Sequence, residues 1–138
     1  MIEAPHSAYI RSAASAAAGG RASLSFASTH DVDEQAALLR GWNQNYAQLS
    51  AGPFNGTIVE TSFAGLHMFM EQTDSELFQT GELPPNLYAI GVPIRVGGVA
   101  NFCGAATAGE ALHVFSGRNG FEFHTPCGLV MAGIVVDV

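Results

Sequence analysis

Residues 53–73, PFNGTIVETSFAGLHMFMEQT, contain two runs in which apolar and polar side chains alternate with a period of two, on either side of Ala64-Gly65. That period marks β-strands, and a two-residue connection ending in glycine marks a hairpin. The stretch constrains the chain more than any other, because an even-numbered loop fixes all the cross-strand partners at once. On one face Phe63 sits opposite Leu66, Thr61 opposite Met68 and Val59 opposite Met70; on the other Ser62 meets His67, Glu60 meets Phe69 and Ile58 meets Glu71. The first face is the more apolar, so it is expected to point inward, with Met68 and Met70 buried and His67, Phe69 and Glu71 turned away.

The rest of the chain fits a strand-rich fold. LSFAS at 24–28 alternates as a first strand, and SELFQTGEL, LYAIGVPI, VANFCG, ALHVF, GFEFHTP and GLVMAGIVVDV are short runs of β-branched and aromatic residues separated by glycine and proline. Such spacing predicts a mainly β domain, either a cupin-like barrel or a double-sheet sandwich. Helix is expected only near the start. Asp31 is placed as an N-cap with Glu34 at the capping-box distance, and Trp42, Asn45, Tyr46 and Leu49 fall at i, i+3, i+4 and i+7, which predicts a second short helix. Residues 1–22 are rich in Ala and Ser, offer little to bury and are expected to form a flexible arm, leaving 23–138 as one domain.

Composition then excludes several classes. Hydrophobic residues make up 48% of the 138 and charged ones 12%, so some apolar surface is expected to serve a partner or ligand. There is no lysine, and five arginines against twelve acids give a net charge of -7, which opposes the counterion release that nucleic-acid binding depends on. Direct nucleic-acid contact is not expected. No apolar run approaches the ~20 residues of a membrane-spanning helix, and Glu3 and Pro5 stand where a signal peptide needs basic residues, so the expected place is the cytoplasm, away from membranes. Cys103 and Cys127 are too few and too far apart for a disulfide framework or a metal knuckle, and read as buried thiols.

His67, His113 and His124 with Glu71 could in principle meet as metal ligands, but the hairpin register turns His67 and Glu71 outward and no His-x-His pair occurs, so neither a metal nor another cofactor is expected. No nucleophile elbow, phosphate-binding loop or dinucleotide fingerprint is present, and an enzyme is not expected.

Taken in order, DEQAALLRGWNQNYAQLSAGPFNGTIVE, LHMFMEQT, PPNLYAIGVPI, NFCG and FEFHTPCGLVMAGI resemble the N-terminal sensing domain of AraC-type transcriptional regulators over residues 22–136. The resemblance implies a cupin-like barrel that binds a small effector and forms a homodimer, a helical or edge-strand surface making the contact. The family's helix-turn-helix domain is not among these 138 residues. On this reading the effector would lie in a largely apolar cavity lined by Val59, Thr61, Phe63, Leu66, Met68 and Met70, the flexible methionines adapting to its shape. The alternatives are a metal-dependent cupin enzyme and a module whose only role is dimerisation or protein contact.

Overall fold

A computed structural model describes residues 9–17, 20–107 and 111–137. Its elements run β1 (Tyr9–Ala17), β2 (Gly20–Thr29), α1 (Val32–Ala37), β3 (Asn43–Gln48), β4 (Gly56–Phe63), β5 (Leu66–Thr73), β6 (Leu77–Glu82), β7 (Leu87–Val96), β8 (Ala100–Phe102), β9 (Ala105–Thr107), β10 (His113–Ser116), β11 (Phe121–Thr125) and β12 (Leu129–Asp137). Two antiparallel sheets pack as a sandwich: a larger one in the order β1-β2-β4-β5-β12-β7-β10 and a smaller one in the order β3-β6-β11-β8-β9. From β5 onward the chain crosses repeatedly between the sheets, so that β5-β12-β7-β10 faces β6-β11-β8-β9. That is the connectivity of a jelly roll. The mainly β double-sheet expectation holds.

The hairpin register is the one read from the sequence. Ala64 and Gly65 take positive φ values of 49° and 79°, as a tight two-residue turn requires, and β4 pairs with β5 from Phe63 opposite Leu66 to Gly56 opposite Thr73. The face is the reverse of the expected one. Phe69 and Glu71 are buried, whereas Met68 and Met70 are 41% and 46% exposed. The cause lies on β12: Gly133 stands opposite Phe69 and has no side chain, so the Phe69 ring fills the space above it, where a Cβ would collide with the ring.

Two expectations near the N-terminus change. The stretch from Trp42 to Leu49 is not helical; Asn43–Gln48 is strand β3, paired with β6 from Asn43 opposite Glu82 to Gln48 opposite Leu77. Trp42 and Tyr46 are four apart, a spacing that serves a helix face and a strand face alike, and the open edge of β6 supplied the hydrogen bonds that decided it. Of the arm expected over 1–22, residues 1–8 and 18–19 lie outside the described residues, and Tyr9–Ala17 is an edge strand in register with β2, from Tyr9 opposite Ser28 to Ala17 opposite Gly20. A ladder is made by the backbone, so a scarcity of large side chains does not forbid it.

Helix α1 starts where expected. The Asp31 carboxylate accepts from the amides of Asp33 at 2.8 Å and Glu34 at 3.0 Å. Glu34 does not close a capping box on the Asp31 amide, because Thr29 Oγ1 takes that amide at 2.9 Å and donates to the Glu34 carboxylate at 3.2 Å. Anchored this way, α1 buries Gln35 and Ala36 beside the core.

Between the sheets Ile58, Phe69, Phe115, Phe121, Phe123, Leu129 and Met131 form the main cluster. Trp42 packs against it with edge-on ring contacts to Phe69, Phe115 and Phe121, centroids 5.6, 6.0 and 5.8 Å away.

Candidate functional site

Among the described residues the one buried carboxyl is that of Glu71. Glu71, on the inward face of β5, accepts from Tyr46 Oη at 3.1 and 3.0 Å through its two oxygens and from Gln35 Nε2 at 3.0 Å. Burial pushes its pKa from 4.5 to about 7, outweighing the two donors, which favour the charged form. Burial also raises Tyr46 well above its ordinary value, and the neighbouring carboxylate adds to that. The void beside this group is lined by Gln79, Phe69, Phe123 and Met131 among others and measures about 20 Å³. That volume suits one water molecule, against the ~300 Å³ or more of a small-molecule site.

The six residues expected to line an effector cavity therefore do not lie between the sheets. Val59, Thr61, Phe63, Leu66, Met68 and Met70 share the outer face of the larger sheet, on the parity opposite to the buried Ile58 and Phe69. Alternation fixed which residues share a face, but both parities of the hairpin are apolar enough to be buried. Only Gly133, Tyr46 and Gln35, distant in sequence, decide which one is.

On that outer face the six are part of something larger. Across the sheet from β2 to β10, Leu24, Thr61, Met68, Ile134, Ile90 and Val114 form one continuous row of cross-strand partners. Phe26, Val59, Met70, Ala132 and Val92 form the adjacent row. Neither row contains a charged side chain, and Leu24, Phe63, Met68, Met70 and Val114 are between 41% and 56% exposed. Sequence reasoning missed the contributions of β2, β7, β10 and β12. The available signal was that LYAIGVPI and GLVMAGIVVDV are apolar at both parities, as strands covered on two sides are.

The histidines are not brought together. His67 Nε2 lies 3.2 Å from Glu60, and His124 Nε2 lies 2.7 Å from Glu76 in the other sheet. His113 is buried against Phe102 and Phe123, and burial lowers its pKa. Among the described residues no three His, Cys, Asp or Glu side chains converge as metal ligands. Both cysteines are exposed, contrary to expectation. Cys103, with a φ of 46°, is half of the tight turn between β8 and β9, and Cys127 lies in the connection from β11 to β12, so neither has a packed layer above it.

These features define a two-sheet β-sandwich with a packed interior and an uncovered apolar sheet face. No protein-family model and no solved structure matches the chain.

Proposed function

We propose that this chain is a self-associating module that docks a second copy of itself through the outer face of the larger sheet. The observation that carries the reading is the pair of charge-free rows, one running from β2 across to β10 and the other from β2 across to β7. Six strands at ~4.8 Å spacing, with up to four outward residues each, give the whole face a footprint on the order of 600 Å² before side-chain relief is added, of which the two charge-free rows are the central half. A stable interface needs roughly 800 Å² per partner, whereas a typical monomer's largest apolar patch is ~300–600 Å².

Charge favours a like partner on this face. With a net charge of -7 two copies repel, and they approach at least cost where neither presents a carboxylate; among the described outward residues from β2 to β10 the one ionised side chain is Arg95, opposite Val130. The resemblance to AraC-type sensing domains carries effector binding and dimerisation together. The interior void has no room for the first, and the sheet face offers a surface for the second. The contact is then a sheet face packed on a sheet face, ~10 Å apart, in place of the helix or edge strand expected from sequence.

Sedimentation of the full chain tests this. The native protein is expected to sediment as a dimer or higher species at micromolar concentration, and Met68→Glu as a monomer with an unchanged circular dichroism spectrum. A native protein that stays monomeric at high micromolar concentration, or an association untouched by Met68→Glu, overturns the reading.

A further inference from the structure

The opposite side of the sandwich has a different chemistry. On the outward face of the smaller sheet, Asn43 and Asn45 of β3, Thr80 and Glu82 of β6 and Glu122 of β11, with Asn119 from the turn before β11, border an open groove of about 560 Å³. The strand register sets them side by side: Asn43 is paired with Glu82, and Asn45 with Thr80, which is paired in turn with Glu122. None of these side chains is engaged in a hydrogen bond within the described residues. Three amides and a hydroxyl supply donors and acceptors, two carboxylates supply acceptors, and no basic side chain lines the groove; Arg118 belongs to a separate groove with Pro85, Asn86 and Tyr88.

An anionic ligand would meet two uncompensated carboxylates there, and an apolar ligand would leave the polar groups unpaired. A cation would engage the two carboxylates but leave the N–H donors of the three amides unused, so the ligand that satisfies the whole set is neutral and rich in hydroxyls, each a donor and an acceptor. Phe78 extends the match. It is 39% exposed, on the same face of β6 as Thr80 and ~7 Å along the strand, between Ala47 and His124. An exposed ring beside a row of amides and carboxylates offers a flat apolar surface to the C–H face of a sugar while its hydroxyls reach the polar groups.

We infer that this groove binds a neutral oligosaccharide. It lies on the sheet opposite the face proposed for self-association, so a dimer would present two such grooves outward, and low affinity at each would be raised by avidity. Its volume lies within the ~300–1,000 Å³ of small-molecule sites.

The full chain is titrated with the free tetrasaccharides of cellulose, chitin, mannan and starch, and with tetragalacturonate as the acidic control, following backbone amide NMR resonances. At least one neutral oligomer is expected to shift resonances on β3, β6 and β11, and the acidic oligomer to shift none. Asn45→Ala with Glu122→Ala, and separately Phe78→Ala, are expected to weaken binding about tenfold or more. A bulky maleimide adduct on Cys103, which lines the groove, is expected to block binding in a Cys127→Ser background, while the same adduct on Cys127 in a Cys103→Ser background leaves it intact. The adducts decide the matter if a groove variant does not fold. Met68→Glu is expected to retain the single-site affinity, which separates this site from the self-association. No shift with any neutral oligomer, equal binding of the acidic one, or indifference to the Cys103 adduct overturns the inference.

Discussion

Between the sheets the Glu71 carboxyl answers to two donors, Tyr46 Oη and Gln35 Nε2, and still holds its proton more tightly than in water because burial dominates. A group whose folded pKa is raised binds protons more strongly when folded, so its contribution to stability is complete below about 4.5 and is lost as the pH rises through about 7. The difference between those two values corresponds to roughly 3 kcal/mol. Denaturant titrations across that window are expected to show the native chain losing stability with rising pH relative to Glu71→Gln, which cannot ionise. Parallel curves for the two proteins would mean that the Glu71 carboxyl has the same pKa folded and unfolded. Tyr46→Phe removes a donor that favours the carboxylate, so it is expected to move the same window to higher pH.

The β4–β5 hairpin shows which part of the architecture the sequence carried. Turn chemistry at Ala64-Gly65 and period-two alternation were enough for the partners, and short glycine-punctuated runs were enough for a double-sheet β fold. The inward face depended on long-range neighbours: Gly133, which makes room for Phe69, and Tyr46 with Gln35, which satisfy Glu71. Local alternation does not report these, and the same limit hid β3, where Trp42 and Tyr46 satisfy two periodicities. The outer face as a candidate interface was visible only as six residues of one hairpin, because the rows are completed by β2, β7, β10 and β12. Three substitutions test the arrangement by thermal or denaturant unfolding. Phe69→Ala is expected to cost ~3–5 kcal/mol, Gly133→Ala ~1–3 kcal/mol because the new Cβ must displace the ring, and Met68→Ala under ~1 kcal/mol in the monomer. A Met68→Ala variant as destabilised as Phe69→Ala would reverse the face again.

At the scale of the molecule, the two outer surfaces divide apolar from polar. From β2 onward the larger sheet's two outer rows carry no ionised group and its outer face no carboxylate among the described residues, while Glu82, Glu122 and the Glu76–His124 pair lie on the smaller sheet. If copies meet through this face, where Arg95 has no carboxylate to face among the described residues, no ion pairs form across the contact, and electrostatics enters only as repulsion between two bodies of charge -7. Salt then has a definite sign. Raising ionic strength from about 0.01 M to about 0.15 M shortens the screening length from ~30 Å to ~8 Å, so repulsion weakens while hydrophobic burial is little changed. Self-association measured by sedimentation equilibrium is expected to strengthen over that range at pH 7. Lowering the charge by pH is not an equivalent test, because Glu71 titrates in the same region and changes the fold's stability. Dissociation on adding salt would require oppositely charged groups facing one another across the contact. The two rows do not supply them, so that result would move the interface off the larger sheet's outer face.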